Sequence, residues 1–69
     1  MRKVKIDTEY ITLGQMLKIT DCISSGGHAK FFLNETEIFI NDQKENRRGR
    51  KLYRGDSIRV QGHGVFTII

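Results

Sequence analysis

Cys22 is the only cysteine in the chain, and that count limits how so short a polypeptide can hold itself together. One thiol can close neither an internal disulfide nor a cysteine-rich zinc site. The 69 residues must therefore fold on hydrophobic burial alone, near the lower size at which burial suffices. A core of that size leaves little room for a catalytic cleft with supporting walls. An unpaired thiol also fits a reducing compartment. The first residues, Met1-Arg2-Lys3-Val4-Lys5-Ile6-Asp7, lack the apolar centre of an export signal. No apolar run approaches the roughly 20 residues that span a bilayer. A cytoplasmic protein with no membrane segment is expected.

Apolar periodicity sets the order of elements. Arg2 to Asp7 alternates polar and apolar residues, which places Val4 and Ile6 on one face of a half-buried strand at a sheet edge. Thr12-Leu13-Gly14-Gln15 has the capping-box arrangement, a hydroxyl at the cap and an amide three residues on, each able to satisfy the other's free backbone N–H. Leu13, Met16 and Leu17 recur at helical spacing, predicting a first helix from about Leu13 to Asp21 with Ile11 as a hydrophobic staple. Ser24-Ser25-Gly26-Gly27 interrupts the pattern, and Ala29, Phe32 and Leu33 resume it as a short second helix capped by Ser24 or Ser25. Beyond Asn34 the signals read strand (38–40), turn (Asn41-Asp42), basic loop, turn (Arg54-Gly55-Asp56), strand (57–60), turn (Gly62-His63-Gly64) and strand (65–69). This order predicts one α+β domain over residues 1–69, a helix pair packed on a small antiparallel sheet. Met16, Phe31, Phe32, Phe39 and Phe66 are assigned to full or partial core positions. Cys22, with no base beside it in sequence, is read as a small core residue.

The charge distribution is lopsided. Within a formal net charge of +4, six cations between Arg47 and Arg59 face one acid, Asp56. Arg47, Arg48, Arg50 and Lys51 crowd into five residues between two strand-like runs, so the cluster is expected on display rather than buried. Arginine forks bind phosphate oxygens in pairs, and clustered cations release counterions from a polyanion; the plain alternative is a solvated loop. Gly26-Gly27 is either an ordinary flexible turn or a place where a phosphate reaches free N–H groups at a positive helix end, with His28 facing it and Lys30 adding charge one turn in. Lys18 either complements its own helix dipole or widens the basic face. Arg54 extends the patch; Arg59 does so or lies on a solvated strand face. Tyr53 stacks on an unpaired base or lies as a lid over the sheet. His28 and His63 are distant in sequence and lack a third ligand, so no metal site is expected. No paired carboxylates, phosphate-cradling loop or catalytic triad pattern occurs, which argues against an enzyme or a cofactor.

In their order and spacing, five stretches resemble the S4-type RNA-binding domain family. They are Leu13-Gly14-Gln15-Met16-Leu17-Lys18, Ser24-Ser25-Gly26-Gly27-His28-Ala29-Lys30, Ile38-Phe39-Ile40-Asn41-Asp42, Arg47-Arg48-Gly49-Arg50-Lys51-Leu52 and Gly55-Asp56-Ser57-Ile58. The resemblance runs from roughly Ile11 to Val60 and is closest to the small stand-alone, YaaA-like bacterial branch. It implies the family's alpha-L fold and a module that docks its two-helix face and basic loop on structured RNA, gripping phosphates and shape more than sequence. Ribosomal RNA or an assembling ribosomal subunit is the implied partner. The implied contacts are Lys18, Gly26, Gly27, His28, Lys30, Arg47, Arg48, Arg50, Lys51 and Arg54. The chain departs from the family pattern at two places: Gly26-Gly27 stands where many members carry Ser-Arg, and Asp42 stands where glycine is usual. The rival readings are a protein-interaction module whose basic face binds an acidic partner and, third, a duplex-DNA binder.

Overall fold

Alternating apolar residues in short strands and helical-period residues between them converge in a computed structural model that describes residues 2–69. In chain order the elements are β1 (Arg2–Val4), β2 (Ile11–Thr12), α1 (Leu13–Ile19), α2 (Gly26–Glu35), β3 (Ile38–Ile40), β4 (Gln43–Lys44), β5 (Lys51–Leu52), β6 (Ser57–Val60) and β7 (Gly64–Ile68). Five strands form one sheet in the order β1-β7-β6-β3-β4, and β2 pairs separately with β5. The expected small α+β domain of two helices and a sheet is what forms. Three of the four ladders in the large sheet are antiparallel, while β1 joins the edge parallel to β7. Those two strands come from opposite ends of the chain, so no hairpin constrains their direction.

Register explains the core. Ile38 lies opposite Val60, Ile40 opposite Ile58, and Ile58 opposite Phe66, so one side of the pleat is a continuous apolar surface. Leu13, Met16 and Leu17 from α1 and Ala29 and Leu33 from α2 join these residues in one buried cluster that also takes in Cys22. Each such Leu, Ile or Phe contributes about 1.5–3 kcal/mol relative to exposure. Phe31 is not part of it. Ala29 and Leu33 define the buried stripe of α2, and a residue two positions from each points to the opposite side, leaving Phe31 61% exposed. Phe32 packs against the cluster from its rim.

The ends of the elements follow local chemistry. Gln15 N–H donates to Thr12 Oγ1 (3.2 Å) and Thr12 N–H to Gln15 Oε1 (2.8 Å), completing the capping box. Thr20 ends α1 by donating its hydroxyl to the Met16 carbonyl (2.9 Å), and Asp21 then turns left-handed (φ 62°), so the helix stops short of the predicted Asp21. Asn41 and Asp42 form a two-residue hairpin loop with both φ positive (50° and 69°), the primed-turn geometry that matches strand twist. Asp tolerates that conformation better than most residues, which accounts for Asp42 where a glycine is usual. Asp56 fixes the next turn: its Oδ2 accepts from Tyr53 N–H (2.8 Å) and its Oδ1 from Asn41 Nδ2 (2.9 Å), with Gly55 at φ 96° between. Among the described residues no helix is long and apolar enough to cross a membrane.

Candidate nucleic-acid interface

The basic segment is held against the start of α1 by main-chain bonds. Ile11 and Thr12 pair with Leu52 and Lys51, and the ladder continues into the helix, where Leu13 N–H donates to the Arg50 carbonyl (2.8 Å) and Gly14 N–H to the Arg48 carbonyl (2.9 Å). The first N–H groups of a helix lack partners within it; here the loop supplies them. A Cβ on Gly14 would sit 3.4 Å from both the Cβ and the carbonyl oxygen of Arg48, so the loop lies in van der Waals contact with this turn of the helix. The expectation of a loop simply on display is thus incomplete, because its backbone is pinned.

A carboxylate fixes the side chains as well. Glu45 follows β4, is only 8% exposed, and has its N–H on the Ile38 carbonyl (2.9 Å). Its Oε2 accepts from the N–H groups of Asn46 (3.1 Å) and Arg47 (3.0 Å) and from Arg47 Nε (2.9 Å). Its Oε1 accepts from Arg47 Nη2 (3.0 Å) and Arg50 Nη1 (3.0 Å). The Arg47 guanidinium, foremost, holds the Glu45 carboxyl at about 2 against an ordinary 4.5, with the Arg47 N–H and Arg50 assisting against the opposing effect of burial. The same pairing raises the Arg47 pKa. Arg47 still leaves most of its side chain in solvent, and Arg50 about a third. Arg48, by contrast, has no carboxylate partner among the described residues.

These constraints gather the cations around two connected recesses. Arg48 and Gly49 face Lys18 of α1 and Gly26 and Ala29 of α2 across a groove of about 300 Å³. Gly49 also borders a wider recess of about 620 Å³ lined by Arg47, Arg50, Lys51, Tyr53 and Asp56. Lys18, Gly26, Arg47, Arg48, Arg50 and Lys51 are therefore brought together. Gly27 and Lys30 lie on the exposed side of α2, where Lys30 stands one turn beyond Gly26. His28 and Arg54 line neither recess. The His28 ring meets the edge of Phe32 (6.2 Å), which in turn meets His63 (5.6 Å), and Arg54 Nη2 donates to the Ile6 carbonyl (2.8 Å). A Cβ on Gly26 or Gly27 would enter open space, and Ser25 provides no side-chain cap, so the start of α2 is bare.

Sequence reasoning missed Glu45 and Tyr10. Glu45 is one acid in a polar stretch, and only the fold reveals that five donors surround its carboxylate. Tyr10 lies next to β2, where the register sets it opposite Tyr53; the ring centroids are 5.8 Å apart. Among the described residues no three His, Cys, Asp or Glu side chains gather to hold a metal ion. The site is suited to binding an anion on fixed cations, with an aromatic edge.

A family model described as the S4 domain matches residues 4–69. The chain is also similar, at 56% identity over 66 residues, to a Bacillus subtilis (strain 168) protein named a probable ribosome maturation protein, RlbA; the match covers 96% of this chain and 93% of that relative. A family match over nearly its whole length, on a fold of two helices packed with a small sheet, means that the chain belongs to the S4-domain family.

Proposed function

We propose that the chain acts as one S4 unit that grips structured RNA through the groove between α1, α2 and the Arg47–Lys51 loop, in the cytoplasm and by binding rather than catalysis. The observation that carries this reading is the convergence of Lys18, Arg48 and the bare start of α2 on one groove that opens into the Arg47, Arg50 and Lys51 recess. The acids nearby are occupied: Glu45 by Arg47, Arg50 and two N–H groups, Asp56 by Asn41 and the Tyr53 N–H. Lys18, Arg47, Arg48, Arg50 and Lys51 outnumber Glu45 and Asp56 around the two recesses, so the field there is positive, and its donors are preorganised for phosphates. Ribosomal RNA, or an assembling ribosomal subunit, is the proposed partner, supported by the likeness to a relative named for ribosome maturation. Neither a small-molecule substrate nor a cofactor enters the reading.

Gel retardation of a structured ribosomal RNA fragment, competed by duplex DNA and by polyglutamate, tests it. Retention of the RNA complex against both competitors is expected, with log affinity falling against log salt at a slope of roughly −3 to −5 for four to six neutralised phosphates. A flat salt response would remove the phosphate grip. Displacement by polyglutamate would favour an acidic protein partner, and equal affinity for duplex DNA a DNA ligand.

A further inference from the structure

Both tyrosines of the chain stand together, Tyr53 at the rim of the basic recess and Tyr10 behind it, where a grip on phosphates has no use for them. The β2–β5 register sets Tyr10 opposite Tyr53, their rings are tilted by 50°, and Lys51 Nζ lies 4.9 Å from the centre of the Tyr10 ring. Tyr10 is 37% exposed and Tyr53 43%, so neither is spent on the core. Tyr53 borders the recess and Tyr10 does not. The Tyr53 main chain is clamped in both directions, its N–H on Asp56 Oδ2 (2.8 Å) and its carbonyl accepting from the Asp56 N–H (3.0 Å). The result is an aromatic ring on an anchored backbone, backed by a second ring and bordered by cations.

We propose that Tyr53 is a stacking platform for a single unpaired nucleobase, positioned by Tyr10, while Lys51 and Arg50 hold the phosphate attached to it. Bases present π faces of any sequence, and an aromatic ring gains from covering one, whereas a paired and stacked base cannot reach it. Lys51 is drawn to the Tyr10 ring by its quadrupole, which keeps the ammonium beside the platform instead of free in solvent. The proposal rests on the RNA-binding reading and adds what that reading does not require, a preference for a duplex interrupted by an unpaired nucleotide.

Two hairpin RNAs with the same stem, one fully paired and one carrying a single bulged 2-aminopurine, test it with the full chain. The bulged hairpin is expected to bind about tenfold tighter, the low end of what one stacked base contributes, and its fluorescence to be quenched on binding. Tyr53→Leu should abolish both the preference and the quenching, so that the variant binds the two hairpins with equal affinity. Tyr53→Phe, which keeps the ring, should retain both. Equal wild-type affinity for the two hairpins without quenching overturns the platform and leaves the phosphate grip standing, as does a preference that survives in a folded Tyr53→Leu variant. Failure to bind either hairpin overturns both.

Discussion

The segment from Glu45 to Lys51 and the start of α2 border the same groove, yet one is tied down at almost every residue and the other is bare. In the loop, two carbonyls are held by the first N–H groups of α1, and two arginines and two N–H groups converge on one buried carboxylate. At α2 there is no side-chain cap, and a methyl group on either glycine would touch nothing. The first is a charged surface whose geometry is part of the fold; the second is a backbone surface that the fold leaves open. Where a loop side chain joins the clasp, as those of Glu45, Arg47 and Arg50 do, folding and binding should fail together, while at Arg48 and at α2 they should separate.

Replacing Glu45 should produce the largest effect. Glu45→Ala makes the protein one unit more positive, which on charge alone would tighten binding to RNA. The loop account expects the reverse: loss of the clasp destabilises the fold by about 2 kcal/mol, discounted because Arg47 is largely in water, and RNA affinity falls. Denaturant titration and gel retardation on one preparation check both. Tighter RNA binding by this variant would show that charge, not loop geometry, governs the site.

The two arginines beside it should then part company. Arg48→Ala should lower RNA affinity and reduce the salt slope by about 1, with an unchanged melting temperature, because among the described residues its side chain makes no ion pair. Arg47→Ala should lower both affinity and melting temperature, because the Glu45 carboxylate loses its main donors. Equal melting temperatures for the two variants would mean that the clasp contributes nothing.

Acid offers a gentler version of the same cut. Glu45 has a folded-state pKa of about 2 against an ordinary 4.5, so its contribution is complete above about pH 4.5 and is lost as pH falls through 2. The stability difference between wild type and Glu45→Gln, measured by denaturation at stepped pH, should therefore shrink across that window and stay level above it.

What was legible in the sequence was what is local. The capping box of Thr12 and Gln15 and the turn at Gly55-Asp56 each depend on neighbours within a few residues and form as read, and Val4 and Ile6 are both buried as their alternation predicts, although β1 ends at Val4 instead of running to Asp7. The β2–β5 ladder has only two residues in each strand and joins positions about 40 apart, so no period announces it. Its invisibility hid Tyr10 and the anchoring of the loop. Phe31 was misread because its apolar character was counted before its angle on the helix. The convergence of Lys18, Gly26 and Arg48 came from family resemblance, since no spacing rule brings three separate segments to one groove. His28 and Arg54, named by the same reasoning, lie at other contacts.

The smallest expected effect is at the bare end of the comparison. Gly27→Ala places a methyl group in open space and removes chain entropy from the unfolded state, so it should stabilise the fold by about 0.5–1 kcal/mol. If a phosphate approaches that backbone, RNA binding should weaken in the same variant. Stabilisation with unchanged affinity would confine the grip to Lys18 and the loop.

The central claim is that RNA lies across α1, α2 and the Arg47–Lys51 loop. The most direct measurement is an amide chemical-shift titration of the ¹⁵N-labelled protein with a structured ribosomal RNA fragment. Shifts concentrated at Gly14, Lys18, Gly26, Gly27 and residues 47–51 are expected, with Phe39 and Arg59, paired across β3 and β6, left unmoved. Shifts centred on Phe39 and Arg59, with Gly26 and Gly49 unchanged, would contradict the account and place the RNA on the sheet.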